Sequence, residues 1–443
     1  GWLSLSTDTL GSASTAIGRA ALANQSTSTA ANKFNTAVGY NAGLEVTTGI
    51  QNTLIGALAG DALTTGGENT AVGYLALSTE DGHGTNTAIG NRTLMTQNAG
   101  ANAHNTAVGH YAGLSVTTGT LNTFIGGLSG DATTTGQFNT AVGYNSLTSN
   151  TTASFNCSIG MESLRENTTG TNNTAVGGYQ TLIVNTTGSN NTAVGRTALS
   201  ANTTADNNTA GGFESLKVNT TGASNTAWGR RALVASTTGS DNVGIGNVAL
   251  GANTTGENNT AVGSGTGGTL TTGSRNTLIG SGTNVDTAAR VGATALGNDL
   301  GTFAADNSFR VKGDGGVYNT GNTSAWNQTS DRRIKKNIAD STIGLAEINQ
   351  IKVRTFEYRT ADEITDSALQ SYDLQDLAVN RTGTQIGCIA QELATIIPSA
   401  VIEDDRGVKV VQPDELNWHM IKAIQEQNAL IVALTARVAT LEG

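Results

Sequence analysis

The chain has 443 residues, enough for several domains. With 57 Gly, 2 Pro and only 13% charged residues, its composition is unlike that of an ordinary globular enzyme and fits either a disordered segment or a solenoid. The net charge of -10 argues against a nucleic-acid partner, because phosphate binding needs clustered Lys and Arg. The sequence has no run of about 18 apolar residues, so we predict no membrane span.

A motif of the form Asn-Thr-Ala-Val-Gly recurs along most of the chain at a period of 17 residues, with one step of 19 and one of 18. Degenerate copies at 14–18 and 293–297 extend the series. Gly, Thr and Asn are poor helix formers, and the period is too short for paired helices. We therefore predict a parallel β-solenoid of about 17 rungs over residues 1–301 in a mainly β protein. The clear copies begin at Asn35, Asn52, Asn69, Asn86, Asn105, Asn122, Asn139, Asn156, Asn173, Asn191, Asn208, Asn225, Asn242, Asn259 and Asn276.

Each place in the repeat has an expected role. In the first clear unit, Thr36 and Val38 point to one face of a short strand and Ala37 to the other. We expect Val or Ile at the fourth place to fill the rung interior, and Ala to face another chain. The leading Asn residues should form a ladder of amides, and the Gly after the strand a sharp corner. A small residue and Leu then predict a second short strand, as at Ala76-Leu77, Ser146-Leu147, Ala198-Leu199 and Ala249-Leu250.

The repeat resembles the β-roll heads of trimeric autotransporter adhesins, whose unit is somewhat shorter, and the Gly/Asn/Thr-rich fibre repeats of marine phages. The alternative, a disordered low-complexity segment, does not explain why Gly recurs at the same place in every clear unit. One rung buries few apolar side chains, and a single chain would leave its Ala face exposed. We therefore predict a homotrimer with parallel solenoids in register.

The repeat stops near Thr302. Phe309, Val311 and Tyr318 are among residues spaced as short strands, with a hairpin turn at 313–316. We interpret 302–329 as a β neck that covers the open end of the solenoid, because the unpaired backbone N–H and C=O groups of an uncovered last rung would pair with other chains.

From Ser330 the composition changes, and residues 330–443 hold half of the Asp, Glu, Lys and Arg residues of the chain. The segment opens with 330–338 (Ser-Asp-Arg-Arg-Ile-Lys-Lys-Asn-Ile) and later contains 387–393 (Gly-Cys-Ile-Ala-Gln-Glu-Leu). The chain closes with a predicted coiled coil at about 414–442, whose Ile-rich a positions are compatible with three strands. Its a and d places hold Ile424, Ile431, Leu434, Val438 and Leu441, with Gln427 at one d place.

These landmarks, in this order, resemble the intramolecular chaperone domain of endosialidase tailspikes, which also ends many phage tail fibres and the myelin regulatory factor. The resemblance covers 330–443 and implies a small α+β domain that trimerises, helps the preceding fibre to fold and then cuts itself off. By motif position it implies Ser330 as the nucleophile, Lys335 as its general base and Thr329–Ser330 as the scissile bond. A lysine can act as base where burial lowers its pKa. Apart from the resemblance, these residues also fit a helix cap and a solvated side chain.

No second active site is indicated, and self-cleavage is the only reaction that we expect. The four histidines, His83, His104, His110 and His419, form no metal-binding pattern in the sequence. Cys157 and Cys388 have neither a CxxC partner nor a nearby His. The Gly-rich stretches lack the context of a phosphate loop. We predict no metal and no cofactor.

The patterns together predict a structural and adhesive virion fibre that attaches to a glycan or protein receptor on a host surface. One alternative is a glycan depolymerase tailspike, which needs paired carboxylates and sugar-stacking aromatics that the repeat region has few of. Another is a trimeric adhesin on a bacterial cell surface, which would place the protein outside a cell and not in a virion tail. Because the chain begins Gly1-Trp2 without Met, we expect an upstream fibre or virion-attachment segment.

Overall fold

The computed structural model describes residues 1–10, 13–26, 31–298, 300, 306–311, 338–367, 369, 383–403 and 407–442. It divides into two compact units, Gly1–Lys312 and Gly313–Gly443. The prediction of a mainly β protein with a parallel β-solenoid of about 17 residues per turn is confirmed. Among the described residues, no helix combines the length and the apolar character needed to cross a bilayer.

The first unit is a stack of short strands in which each strand pairs in parallel with the next. The register is the same from rung to rung: Ala37 lies beside Leu54, and Val38 beside Ile55. The strands are β1 Thr15–Ile17, β2 Thr36–Val38, β3 Thr53–Ile55, β4 Thr70–Val72, β5 Thr87–Ile89, β6 Thr106–Val108, β7 Thr123–Ile125, β8 Thr140–Val142, β9 Cys157–Met161, β10 Thr174–Tyr179, β11 Thr192–Val194, β12 Thr209–Gly211, β13 Thr226–Trp228, β14 Val243–Ile245, β15 Thr260–Val262, β16 Thr277–Ile279, β17 Thr294–Leu296 and β18 Phe309–Val311.

The inward and outward faces of the strands are the reverse of the prediction. From β2 to β17 the third place, as in Ala37, is fully buried. The fourth place is half-buried, as in Val38, or exposed, as in Ile55 and Ile125, except at Gly211, which is buried. The expectation that Val or Ile fills the interior was therefore wrong. The reason is space: the interior is thin and is filled from the opposite wall by turn leucines such as Leu77, so the strand can supply little more than a methyl group.

Large strand residues are matched by glycine in the turn. Leu54 and Phe124 occupy the third place where most rungs have Ala, and both are fully buried. A Cβ added at Gly60 would lie 2.8 Å from Leu54 Cδ2, and one at Gly130 would lie 2.5 Å from Phe124 Cε1. The preceding rung makes room as well, since a Cβ at Gly43 would lie 2.6 Å from Leu54 Cδ1. A large strand side chain thus fills the space that glycine leaves free in the turns of its own rung and of the rung before it.

The predicted second strand is absent from the described rungs, and this prediction was wrong. The leucines of the four segments named for it, Leu77, Leu147, Leu199 and Leu250, lie in turns and have φ between 50° and 55°. The left-handed conformation costs about 1–2 kcal/mol for a residue with a Cβ. Full burial of each leucine contributes about 1.5–3 kcal/mol, which offsets that cost.

The glycine corner is confirmed. Gly143 has φ +134°, and a Cβ built on it would lie 2.5 Å from the carbonyl oxygen of Gly160 in the next rung. Both the backbone conformation and the close approach of the next rung therefore require glycine.

We predict that Gly143→Val destabilises the shaft by about 3 kcal/mol or more, because it combines left-handed strain with a backbone clash. Thr134→Ser is the control: the hydroxyl that donates to the Thr151 carbonyl at 3.0 Å is kept, so its cost should be about 0.5 kcal/mol. Thermal and denaturant unfolding of both variants would measure the difference. Equal losses would contradict the assignment of the corner.

The predicted asparagine ladder is confirmed and runs through the interior of the stack. The Asn52 amide Nδ2 donates to the Gly66 carbonyl at 2.9 Å, and its backbone N–H donates to Asn35 Oδ1 at 2.9 Å. A second ladder, which we did not predict, follows the Leu turn in the later rungs. In it, Asn167 Nδ2 donates to Asn150 Oδ1 at 3.2 Å and to the Gly170 carbonyl at 2.9 Å. Its members are Asn150, Asn167, Asn185, Asn202 and Asn219, and it ends where Ser236 occupies the same place in the next rung.

Two acidic side chains lie at the edge of this interior. Asp61 and Asp131 each follow a turn glycine, and each has one buried carboxylate oxygen without a hydrogen-bond partner. Burial raises the pKa of both carboxyl groups above the ordinary value of 3.8. The ionised form is therefore disfavoured in the folded chain.

We predict that Asp61→Asn with Asp131→Asn raises the melting temperature near neutral pH. Above about pH 4 the folded wild type holds these protons more tightly than the unfolded chain does, so its stability falls as the pH rises through the raised pKa values. The double variant lacks this pH dependence of stability, because asparagine does not titrate. Melting curves at about pH 4 and pH 7 would show a gain at pH 7 that shrinks at pH 4. A gain independent of pH would contradict the electrostatic cause.

The stack continues beyond residue 301. Strand β18 pairs in parallel with β17, Phe309 lying beside Thr294. Arg290 contacts Asp286 in its own rung and Asp306 at 2.9 Å just before β18. Of the predicted neck at 302–329, only residues 306–311 are described, and the predicted hairpin turn at 313–316 lies outside them.

The described part of the second unit is small and mixed. Strand β19 Arg354–Phe356 pairs antiparallel with β20 Gln385–Gly387, and β21 Val401–Glu403 pairs antiparallel with β22 Lys409–Val411. Leu393, Ile397 and Ala400 form its buried centre. Its helices are α1 Leu345–Ile348, α2 Ala390–Ala394 and α3 Pro413–Glu442, and two short 3-10 helices cover Ala361–Glu363 and Pro398–Ala400.

Candidate assembly and self-processing site

The predicted cleavage residues, Thr329, Ser330 and Lys335, lie outside the described residues. The structure therefore tests neither their geometry nor their roles, and self-cleavage stays a prediction. What the structure does describe is the part of the second unit that follows them, from residue 338.

The motif Ile-Ala-Gln-Glu forms the start of helix α2 and is fastened to strand β19 by an ion pair. Arg354 donates to Glu392 through both Nη2, at 2.8 Å, and Nε, at 3.2 Å. The guanidinium of Arg354 holds the pKa of Glu392 below its ordinary value. The next residue, Leu393, is buried in the centre of the unit. The ion pair of Glu392 and the packing of Leu393 therefore fix the position of the motif. The contact with Arg354 was not predicted from the sequence.

Helix α3 is joined to the unit near its N-terminal end. Ser341 Oγ lies 3.3 Å from His419 Nδ1, and Glu426 Oε2 accepts the Leu345 N–H of helix α1 at 2.8 Å. His419 and Ala423 are the residues of α3 that are buried. The negative charge of Glu426 at the start of α1 also suits the helix dipole.

From Ile424 onward, helix α3 also carries an apolar seam that is exposed in a single chain. The heptad residues are exposed, from Val438 at 43% to Leu441 at 80%. The seam residues are Ile424, Ile431, Leu434, Val438 and Leu441. Leucine and isoleucine repeating at a and d positions are the pattern that packs between the helices of a coiled coil.

The solenoid has a similar uncovered surface, which we call the outward stripe: the fourth-place residues of strands β1 to β18. Stacking in register places these side chains directly above one another. Trp228 interrupts the run of Val and Ile, and its ring covers Gly211 in the preceding rung, where a Cβ would lie 2.3 Å from Trp228 Cε3. Stripe residues that are 37% to 58% exposed are Ile17, Ile55, Ile89, Ile125, Ile159, Val194, Trp228, Ile245 and Ile279.

The two cysteines have no chemical partner in the described structure. Cys157 and Cys388 are both free and half-buried. Burial raises the pKa of the Cys157 thiol, which disfavours the reactive thiolate.

Residues 330–402 match the family model described as chaperone of endosialidase. That match supports a chaperone domain at the C-terminus. It begins at Ser330, the residue at which the composition changes, and it contains the Ile-Ala-Gln-Glu motif. No curated protein and no solved structure matches the chain.

The chaperone domain and the β-solenoid shaft together fit a protein of tail-fibre or tailspike type. This family is associated with phage tail proteins, which is consistent with a virion location.

Proposed function

We propose that this chain is a trimeric virion fibre that binds a host surface, and that its chaperone domain assembles the fibre and is then released by a cut between Thr329 and Ser330. The proposal is carried by one observation, the uncovered outward stripe that runs the length of the shaft.

The outward stripe is too long to be an ordinary exposed patch. At about 4.8 Å per rung, the strands β1 to β18 give it a length of about 80 Å. Monomeric proteins rarely expose apolar patches of more than a few hundred Å². Three parallel copies in register would bring identical stripe residues together around one axis, and such a cyclic arrangement closes without leaving a free apolar face. The outward stripe therefore supports the trimer. The alanine face, which we expected to make this contact, is buried inside the rung.

The seam on helix α3 supports the same assembly. A parallel coiled coil holds its chains in register, and isoleucine at the a positions is compatible with three strands. Register matters here because successive rungs are nearly identical, so that two chains shifted by one rung would still match. Parallel stacking is also slow to form, which makes an assembly aid useful.

Exposed aromatic side chains support the adhesive role. Phe138 and Phe155 are stacked, with ring centroids 4.9 Å apart and planes 5° from parallel. Both are about half exposed. They stand at the place before the leading Asn and not at the fourth place, so a trimer built on the outward stripe need not cover them. Flat apolar surfaces of this kind suit sugar rings or the apolar parts of a protein receptor.

A comparison of the full chain with residues 1–329 alone tests the proposal. The full chain should give a trimer by light scattering, whereas residues 1–329 should aggregate because nothing sets their register. A stable folded monomer of 1–329 would overturn the trimer. Labelled fibre should also bind host cells without releasing reducing sugar ends, and release of such ends would favour the depolymerase alternative.

A further inference from the structure

One rung of the shaft departs from the repeat at its closing turn. The preceding rung reads Leu63-Thr-Thr-Gly, and the rung two places later reads Val116-Thr-Thr-Gly, whereas this rung reads Glu80-Asp81-Gly82-His83 and the next reads Gln97-Asn-Ala-Gly. The interior column at the place of Glu80 is occupied by Leu63 in the preceding rung and by Gln97 in the following one. A carboxylate therefore stands where most rungs place an apolar or amide side chain.

Glu80 is fully buried, and neither of its carboxylate oxygens has a side-chain hydrogen-bond partner. The backbone amides of His83 and Ala99 face the carboxylate without forming hydrogen bonds of good geometry. The Nδ1 atom of His83 is also buried and also without a hydrogen-bond partner. These two groups face each other, with His83 Nδ1 3.7 Å from Glu80 Oε1. A buried charge without a permanent counter-charge is costly. Among the described residues neither Lys nor Arg forms an ion pair with Glu80, and His83 balances its charge only when the imidazole is protonated.

Asp81 completes a group of potential metal ligands. Ligand atoms of Glu80, Asp81 and His83 all lie within 4.8 Å of one another. A zinc ion about 2.0–2.2 Å from each ligand atom would hold these atoms about 3.2–3.6 Å apart, close to the separation already present between Glu80 and His83. Asp81 is exposed, so a fourth position is open to water.

We propose that Glu80, Asp81 and His83 bind a divalent cation of the zinc type. The donor set of one imidazole and two carboxylates suits Zn²⁺, which accepts four ligands including nitrogen. Ca²⁺ takes six to eight oxygen ligands, and this turn supplies too few of them. The ion would supply a positive charge beside buried Glu80 that does not depend on protonation of His83. It would also hold together a turn that does not have the Thr-Thr-Gly sequence. This proposal concerns the solenoid alone and does not depend on the assembly or on the cleavage.

The test is a titration of the full chain with Zn²⁺ after treatment with a chelator, followed by calorimetry and by thermal melting. We expect one zinc ion per chain and a higher melting temperature of the shaft. Glu80→Gln, Asp81→Asn and His83→Gln should each weaken binding at least tenfold. Gln is expected to fit at residue 80, because Gln97 occupies the same column in the next rung. Ca²⁺ should give no saturable signal.

The matched control is His104→Gln, which removes an exposed histidine of the next rung. The backbone at His104 has φ +51°, and Gln51, at the equivalent place of another rung, has φ +59°. Glutamine therefore tolerates this conformation, and the variant should fold. Binding should be unchanged in this control. The proposal is overturned if the wild type shows no saturable binding up to roughly 100 µM Zn²⁺, or if His83→Gln and Asp81→Asn bind as tightly as the wild type.

Discussion

Replacing Ser330 with alanine is expected to leave every chain uncut at Thr329–Ser330 while the trimer still forms. In the proposed reaction Ser330 Oγ attacks the Thr329 carbonyl carbon, the C–N bond breaks, and the Ser330 nitrogen leaves as an amine. Water then hydrolyses the resulting ester and frees residues 330–443. The hydroxyl is needed for the first step, and its loss removes too little volume to disturb packing.

Lys335→Ala should block the same cut, because no base would then accept the proton of the Ser330 hydroxyl. Lys336→Arg is the control, since it changes the neighbouring cation conservatively and should leave cleavage intact. Mild acid should slow the reaction, because a protonated lysine cannot accept a proton. Intact-mass spectrometry of the three variants and the wild type is the measurement. A wild-type trimer without a fragment beginning at Ser330 would mean that the domain is retained as a trimerising cap.

The period of the sequence was enough to predict the architecture of the shaft. A repeat of 17 residues with Gly at one place requires a rung that returns to the same point at every turn. The buried Asn ladder and the corner at Gly143 follow from the same register, and both are present. Stacking makes each place in the repeat a column, so one correct assignment holds in every rung.

Alternation alone could not show which face of each strand points into the rung interior. In a three-residue strand such as Thr36–Val38, alternation separates Ala37 from its neighbours but does not tell which side is the interior. A signal was present elsewhere in the sequence: the third place becomes Leu54 or Phe124 in rungs whose turns have Gly60 or Gly130 instead of Leu. Compensation of this kind occurs only between side chains that share a core.

The left-handed leucines and the Glu80 cluster were missed for different reasons. Leu77 follows a small residue in a pattern that looks like a strand, and nothing local reveals that burial compensates for an unfavourable φ. Glu80 and His83 do not match a known metal motif, and their significance appears only when the stack shows Glu80 to be buried. Arg354 and Glu392 are 38 residues apart, and only the fold brings them together.

Ile125→Arg combined with Ile159→Arg is expected to abolish the shaft trimer. Both side chains belong to the outward stripe and are 40% and 39% exposed in the single chain. In the proposed trimer each substitution would gather three guanidinium groups around one axis, without counter-ions and away from water. Burying an unpaired charge costs several kcal/mol per ion, more than one rung of apolar contact contributes.

The control is Leu121→Arg, which places one of the two added charges on the rung of Ile125 but off the outward stripe. Leu121 is 45% exposed and has φ +59°, and Arg275 occupies the equivalent place with φ +60°, so the control should fold and assemble. Circular dichroism should show β structure in both variants, because neither substitution enters the rung interior. Light scattering should then give trimers for the control and monomers or aggregates for the double variant. If both give trimers with equal melting temperatures, the chains do not meet along the outward stripe.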